Sequence, residues 1–252
     1  MGIILDIIVL VLAVAPVVYL MRYIYNKDKY EKEPQGMLIK AFIFGIFAIP
    51  MDIIVVGIIN SIWTGHMVFY SAFWEAGIPE EFCKWSMFML IIWRNRNFNE
   101  FFDGIVYASF ISLGFACIEN ILYVFGAGSF FGSIGIGLTR ALLSVPGHFL
   151  FGVLMGYYLA LAKFDPKNRS KYLIYSLVVP MLAHGVFDYI LMLSSSVDES
   201  VPFVGTILFV AFIYFDIKLW KVGVKKINEM QEASKNQHEQ ELINKVFPGK
   251  NY

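Results

Sequence analysis

Charged side chains are scarce in this sequence of 252 residues. Asp, Glu, Lys and Arg make up 16% of it and hydrophobic residues 58%, whereas soluble domains are about a quarter charged. The mean hydropathy is +0.63, and the apolar runs are long enough to cross a hydrocarbon core of about 30 Å. A soluble domain is therefore excluded. The sequence predicts an all-α, polytopic bundle of the cell membrane, in contact with lipid and not with nucleic acid.

Cysteine is almost absent and occurs only at Cys83 and Cys117, both within apolar segments. This scarcity excludes a cysteine-based metal site and disfavours a structural disulfide. The sequence also lacks a G-x-S-x-G nucleophile elbow, a GxGD-type pair of aspartates and an HExxH zinc motif. The chemistry of those hydrolase classes is therefore not indicated.

No Gly/Ser linker, low-complexity tract or internal repeat divides the chain. We therefore predict one transmembrane domain over residues 1–226 and a polar cytoplasmic tail over 227–252. The N-terminus lacks the basic n-region and the small-residue cleavage site of a signal peptide. Its positive charge follows the apolar run, which predicts a retained first helix with the N-terminus outside.

Seven apolar runs predict about seven membrane spans. Their predicted ranges are 3–24, 37–60, 67–93, 103–126, 136–162, 172–194 and 203–222. Lysines and arginines collect at alternate connections, whereas the connections near 61–66, 127–135 and 195–202 contain neither. By the positive-inside rule, the basic connections and the C-terminus are cytoplasmic.

Ionisable side chains inside a membrane are costly, so those within the predicted spans are functional candidates. At 1.5 Å per residue, several of them lie about 18–24 Å from the cytoplasmic ends of their spans, in the outer half of a core of about 30 Å. This shared depth predicts one polar layer built by four helices. The candidates are Glu80, Glu81, Lys84, Glu119 with Asn120, His148, His184 and Asp188. Arg140, near the outer boundary, is interpreted instead as a side chain that reaches the interface.

The segment GIPEEFCKW, residues 77–85, puts three of these groups inside one apolar run. Gly77–Pro79 should interrupt the third span, because proline lacks an N–H donor and clashes with the preceding turn. Glu80 and Glu81 then fall in the first turn of a new helix. Lys84 follows three and four residues later, within reach of either carboxylate. Which glutamate faces a reactive centre is left open.

Two other spans carry polar residues at informative spacings. His184 and Asp188 lie four residues apart and share a helix face, where an aspartate can fix the tautomer of an imidazole. Pro146–Gly147 immediately precedes His148, so this histidine lies at a predicted bend. Gly152–Gly156 forms a GxxxG step, which predicts close packing on a neighbouring helix.

The chemistry available to these groups is limited. A carboxylate and an imidazole can activate water as a general base while neighbouring donors stabilise an oxyanion. Two histidines and a glutamate can instead hold a catalytic zinc ion. The same groups can form the proton relay of a coupled transporter, the alternative function, although no inverted repeat is evident across the seven spans.

Four blocks, in order and each on its own predicted span, resemble those of the PrsW intramembrane proteases. They are EEFCK (80–84), FACIEN (115–120), PGHFLFG (146–152) and HGVFD (184–188), and the similarity covers about residues 15–195. That family is related to the type II CAAX-prenyl endopeptidases and the wider Abi/CPBP group. The resemblance implies site-1 cleavage of a single-pass membrane protein, typically an anti-sigma factor, near the outer face of the membrane.

The resemblance also implies roles for individual residues. By analogy with the related glutamic-type endopeptidases, Glu80 or Glu81 activates the water without a metal ion, with zinc as the alternative cofactor. His184 and Asp188 match a block expected to hold the oxyanion or to orient the substrate carbonyl. Glu119 stands where the related endopeptidases have a histidine, so its role as a partner departs from their pattern. The predicted catalytic residues are Glu80, Glu81, His184, Glu119 and His148, and the predicted orienting residues are Asp188, Asn120 and Lys84.

Overall fold

The computed structural model describes residues 2–65, 67–198 and 201–246, and within these ranges it contains helices and no β-strand. The helices are α1 (Ile3–Lys27), α2 (Gln35–Ile62), α3 (Val68–Tyr70), a π-helix (Ser71–Gly77), α4 (Ile78–Ile91), α5 (Phe101–Phe125), α6 (Phe130–Leu142), α7 (Ser144–Phe164), a 3₁₀ turn (Pro166–Asn168), α8 (Arg169–Ser195) and α9 (Pro202–Val246).

Six helical stretches of the described chain are long and apolar enough to cross a membrane. They are Ile3–Lys27, Gln35–Ile62, Phe101–Phe125, Phe130–Phe164, Pro166–Ser195 and Pro202–Lys245. The remaining predicted span, 67–93, corresponds to α3, the π-helix and α4, which follow one another directly over 68–91. The predicted all-α polytopic bundle is confirmed.

Helices α5 and α7 form the centre of the bundle, where most of their side chains are buried. Their backbones approach closely at small residues. A Cβ added to Gly156 would lie 2.2 Å from the carbonyl oxygen of Gly104, and one added to Gly152 would lie 3.0 Å from the carbonyl oxygen of Ala108. The close packing predicted from the GxxxG step is therefore confirmed, and it joins the two helices that carry Glu119 and His148.

The predicted span 136–162 is not one continuous helix. Helix α6 ends at Leu142 and α7 begins at Ser144, with Leu143 between them. Pro146 is the third residue of α7, a first-turn position where its missing N–H leaves no helical hydrogen bond unmade. The helix is therefore interrupted at Leu143, five residues before His148, and it runs without a break through Pro146 and His148.

The predicted interruption at Gly77–Pro79 is a change of helix type, so the expectation of a break is wrong. The π-helix passes into α4 at Ile78, which places Glu80 and Glu81 in the first turn as predicted. The wider π turn brings the backbone at Gly77 against α8, where an added Cβ would lie 2.6 Å from the backbone nitrogen of Gly185. The chain stays helical at Pro79 because a proline is tolerated in the first turn of α4, and the close approach at Gly77 sets α4 beside α8.

Helix α9 runs through the end of the last predicted span without interruption and continues to Val246. Beyond residue 226 it packs on the end of the bundle that we assign to the cytoplasm. The hydroxyl of Ser234 accepts a hydrogen bond from the backbone N–H of Phe102 at 2.8 Å, and the Gln237 amide donates to the carbonyl of Asn99 at 2.7 Å. The division at residue 226 stays a prediction, and residues 247–252 of the tail lie outside the described ranges.

Candidate active site

Polar side chains from four helices meet at one place inside the bundle. Helix α4 supplies side chains from its first two turns, and α8 supplies side chains from one of its faces. The closely packed helices α5 and α7 supply one side chain each. The structure thus brings together the groups that share a predicted depth. They are Glu80, Glu81 and Lys84 from α4, Glu119 from α5, His148 from α7, and His184 and Asp188 from α8.

Lys84 is the centre of this cluster and its side chain is fully buried. Its Nζ lies 2.7 Å from Glu81 Oε1, 3.1 Å from Glu80 Oε2 and 3.0 Å from His148 Nδ1. The ammonium also lies 4.1 Å from the centre of the Phe115 ring. Three polar partners and one aromatic face compensate for the loss of water around this charge.

The two neighbouring glutamates have different surroundings. Glu81 has no exposed surface, and its Oε1 contacts both Lys84 and His184 Nδ1, the latter at 3.0 Å. Glu80 is 10% exposed and lines a chamber, and its Oε2 lies 3.9 Å from His184 Nδ1 and 4.0 Å from His148 Nδ1. Glu81 is therefore a buried partner of the cluster, whereas Glu80 faces the chamber.

The contacts of His148 define its tautomer. A lysine ammonium only donates hydrogen bonds, so Nδ1 accepts from Lys84. The other nitrogen, Nε2, then carries the proton and donates to Glu119 Oε2 at 2.7 Å. His148 thus links the lysine of α4 to the glutamate of α5.

His184 lies between two carboxylates. Its Nδ1 is 3.0 Å from Glu81 Oε1 and its Nε2 is 3.3 Å from Asp188 Oδ2. An imidazole with a proton on each nitrogen can donate to both oxygens. The ring stacks on Phe151 with the ring centres 4.5 Å apart. The predicted pairing of His184 with Asp188 is present in the structure, and the aromatic contact fixes the orientation of the ring.

Arg140 is part of this cluster, so its interpretation as an interfacial side chain is wrong. Its Nη2 lies 2.7 Å from Glu119 Oε2, its Nε donates to Asn120 Oδ1 at 2.9 Å, and its guanidinium carbon lies 4.2 Å from the centre of the Tyr123 ring. Because Glu119 is largely buried, a counter-charge from α6 lowers the cost of its ionisation. The sequence carries no local signal for this pair, since the two residues are 21 positions apart on different helices.

Asn120 lies behind the cluster and away from the chamber. It is fully buried, and its amide donates to the backbone carbonyl of Ala13 in α1 at 2.7 Å while its oxygen accepts from Arg140. Its observed contacts therefore connect α1, α5 and α6. They do not extend to the space beside Glu80.

A chamber of about 150 Å³ adjoins the cluster. At about 30 Å³ per water molecule, it has room for several waters or for part of an extended peptide. Sequence reasoning did not identify Tyr123 or Ser144 as lining residues, because an exposed tyrosine and a helix-initiating serine are common in membrane proteins. The polar lining consists of Glu80, Glu119, Tyr123, Arg140, Ser144, His148, His184 and Asp188.

The same cluster contains the donor set of a metal site. Glu80, Glu81, His148 and His184 each offer one ligand atom, and these atoms lie within 4.8 Å of one another. However, the Lys84 ammonium lies within 3.1 Å of ligand atoms of Glu80, Glu81 and His148 and already occupies the space between them. His184 in turn directs both nitrogens at carboxylates. With Lys84 charged and in this position, the residues are of the right kind for zinc but do not fit around an additional cation.

The chain is similar to known proteases over most of its length. A family model described as PrsW family intramembrane metalloprotease matches residues 33–215. The chain is 35% identical to Protease PrsW of Bacillus subtilis (strain 168) over 223 residues, which cover 88% of this chain and 94% of that protein. It is 33% identical to Protease PrsW of Clostridioides difficile (strain 630) over 229 residues, covering 89% and 92%. Protease PrsW of Oceanobacillus iheyensis is 40% identical over 178 residues, covering 71% and 80%. No solved structure matches the chain.

Proposed function

The chain belongs to the PrsW family of intramembrane proteases, and from this premise we propose that it cleaves a single-pass membrane protein with water activated by Glu80, without a metal ion. The observation that carries the proposal is the position of Glu80. It is the glutamate of the pair that lines the chamber, whereas Glu81 is buried behind it.

In the proposed reaction, Glu80 takes a proton from a water molecule as the resulting hydroxide attacks the carbonyl carbon of the scissile bond. The oxygen of the tetrahedral intermediate accepts hydrogen bonds from donors in the chamber wall. His184 can be one of them when this oxygen takes the place of Asp188 at Nε2, while Glu81 continues to hold Nδ1. The carbon–nitrogen bond then breaks, and the proton held by Glu80 passes to the leaving amine. The products are a carboxyl group and an amine, and Glu80 is again ionised.

The location of Lys84 supports the metal-free form of the mechanism. Its charge lies among the carboxylates where a metal ion would otherwise balance them. The donor set described above favours one second candidate, a zinc-dependent reaction at the same site. Loss of cleavage with a chelator and recovery with zinc would favour that alternative, whereas unchanged cleavage under chelation is expected here.

The proposed substrate is an anti-sigma-factor-like protein cut near the outer face of the membrane. The chamber lies beside late residues of α5 and α8, namely Tyr123, Leu191 and Met192. Both helices begin at basic connections assigned to the cytoplasm, and Leu191 follows Arg169 by a rise of about 33 Å. A chamber at that height supports cleavage close to the outer boundary.

Co-expression with candidate single-pass substrates tests the proposal. Glu80→Gln keeps the shape of the side chain but cannot take the proton, so we expect cleavage to fall by at least about a hundredfold with the protein still folded. Glu81→Gln leaves Lys84 and His184 without a shared carboxylate, so we expect it to lower the thermal midpoint of unfolding as well. Glu75→Gln is the matched control, since Glu75 lies in the adjoining π-helix and bonds to Asn60 outside the chamber. If Glu80→Gln cleaves the substrate at the wild-type rate, Glu80 is not the general base.

A further inference from the structure

A lipid-facing groove lies between α1 and α2 and shares no lining residue with the catalytic chamber. Both helices pack on α5 and leave a gap of about 510 Å³ between themselves. Phe110 of α5 contributes to its lining, together with Val18 and Met21 on the α1 side and Leu38 and Ile39 on the α2 side. Val18 and Ile39 are more than half exposed, so this apolar groove is open to the surrounding bilayer.

The chemistry of the groove changes along its length. Its polar lining residues, Arg22, Asn26 and Gln35, lie near the end of α1 and the start of α2, next to the connection assigned to the cytoplasm. Val18 lies one helical turn deeper than Arg22, about 6 Å along α1. The groove is therefore apolar toward the membrane interior and polar toward the cytoplasmic surface, as the two parts of a phospholipid require.

The polar end of the groove carries positive charge. Arg22 is exposed and has no hydrogen-bond or ion-pair partner within the part of the chain that the structure describes. Lys32 adds a second cation nearby, because its Nζ donates to the Tyr25 carbonyl at 3.1 Å and lies 4.0 Å from the centre of that ring, which lines the groove. A guanidinium matches the paired oxygens of a phosphate group.

We propose that this groove is a binding site for one anionic phospholipid of the cytoplasmic leaflet. An acyl chain lies against Val18, Leu38 and Phe110, and the phosphate contacts Arg22. Charge complementarity selects this occupant, since the cytoplasmic leaflet is rich in anionic lipids and a purely apolar transmembrane segment of a partner would leave the guanidinium unpaired. The site is separate from the catalytic chamber, and its occupancy does not depend on the proposed proteolysis.

Native mass spectrometry of the full chain tests this site. The protein is reconstituted in phosphatidylcholine vesicles with or without phosphatidylglycerol and then released in mild detergent. The wild type is expected to retain one phosphatidylglycerol in preference to phosphatidylcholine. Arg22→Gln should lower that retention about tenfold, as expected for the loss of a charge-assisted contact. Arg96→Gln, which removes another exposed arginine from a cytoplasmic connection, should leave it unchanged.

A second variant tests the apolar part of the groove independently of charge. Ile39→Trp should fill the groove and lower retention of both lipids, with Arg22 intact. Equal retention by the wild type and Arg22→Gln, or full retention by Ile39→Trp, would overturn the proposal. So would a photo-crosslinker at position 39 that captures a protein segment instead of phosphatidylglycerol. Thermal unfolding of each variant establishes that the protein compared is folded.

Discussion

Two chains of contacts connect Glu80 with the neighbouring helices. One runs from Arg140 through Glu119 to His148, and the other from Asp188 through His184 to Glu81. Lys84 joins them, because it contacts both glutamates of α4 and His148. Because these contacts link α4 with α5, α6, α7 and α8, the orientation of Glu80 depends on residues of other helices.

Arg140 is predicted to act as a positioning residue at the far end of the first chain. Its guanidinium contacts Glu119 and Asn120 at once, a geometry that lysine cannot reproduce. We expect Arg140→Lys to lower kcat about tenfold and Arg140→Gln about a hundredfold, because Glu119 and His148 lose their fixed position. The measurement is cleavage of one substrate by both variants, with kcat and KM determined separately. It checks whether kcat falls further in Arg140→Gln than in Arg140→Lys.

Arg96→Gln serves as the control for that series, since Arg96 is exposed and outside the cluster. A purely structural role for Arg140 would lower the thermal midpoint of unfolding in both variants and leave the kcat of the folded fraction unchanged. That outcome would contradict positioning. Normal kinetics in Arg140→Gln would contradict it as well.

At the scale of the elements, local spacing predicted part of the site correctly. Glu81 with Lys84 and His184 with Asp188 are one helical turn apart, so helix geometry alone brings them together. The helix start at Ile78 also followed from local signals, because a proline fits the first turn.

Contacts between different helices could not be predicted from local sequence spacing. The contact of Lys84 with His148 depends on how α4, α5 and α7 pack, and nothing in either local segment encodes the distance. The same holds for Arg140, whose helix α6 was assigned to the span of α7. The contact of Arg140 with Glu119 on α5 depends on the interruption at Leu143, which separates α6 from α7 and which the sequence did not predict.

The close approach of the π-helix to α8 leads to a prediction about Gly77. A Cβ there would lie 2.6 Å from the backbone nitrogen of Gly185 and 2.8 Å from its Cα. Gly77→Ala should therefore push α8 away from α4, lengthen the contact between Glu81 and His184, and lower the free energy of unfolding by about 1–3 kcal/mol. Thermal unfolding and substrate cleavage measure the two effects.

Gly57→Ala is the matched control for this substitution. Gly57 lies in α2, and an added Cβ would have no atom within 4 Å. The control should keep full cleavage and change the free energy of unfolding by less than about 1 kcal/mol. If Gly77→Ala behaves like Gly57→Ala, the π-helix does not set the position of the glutamates.

At the scale of the whole molecule, a second polar cluster closes the end of the bundle opposite the chamber. Four carboxyl groups there, on Asp28, Glu33, Glu100 and Asp103, are no more than 4% exposed. The hydroxyl of Tyr107 donates to Glu33, and Asp103 Oδ2 accepts from the backbone N–H of Glu100 at 2.7 Å. Helix α9 covers this cluster through the contact of Ser234 with the first turn of α5.

Burial changes the titration of the carboxyl groups in the connections. It raises the pKa of Asp28 to about 6 and that of Glu33 to about 7. Burial, followed by the neighbouring carboxylates of Asp103, Asp28 and Glu31, raises the pKa of Glu100 to about 8. At pH values between the ordinary pKa of a carboxyl group and these raised pKa values, the folded state therefore binds more protons than the unfolded state.

This proton excess predicts that the contact of α9 with the bundle weakens as the pH rises. A carboxyl group whose pKa is raised on folding contributes stability that is complete below its unfolded pKa and is lost as the pH passes through the folded value. Protection of the amides of residues 228–240 from hydrogen exchange, corrected for the intrinsic pH dependence of exchange, should thus be high near pH 6 and fall toward pH 9. Glu100→Gln should remove the part of the loss of protection that occurs near pH 8. Glu239→Gln, on the exposed side of α9, should leave that loss unchanged. Protection that stays constant from pH 6 to 9, or an identical profile in Glu100→Gln, would show that these carboxyl groups do not hold the helix in place.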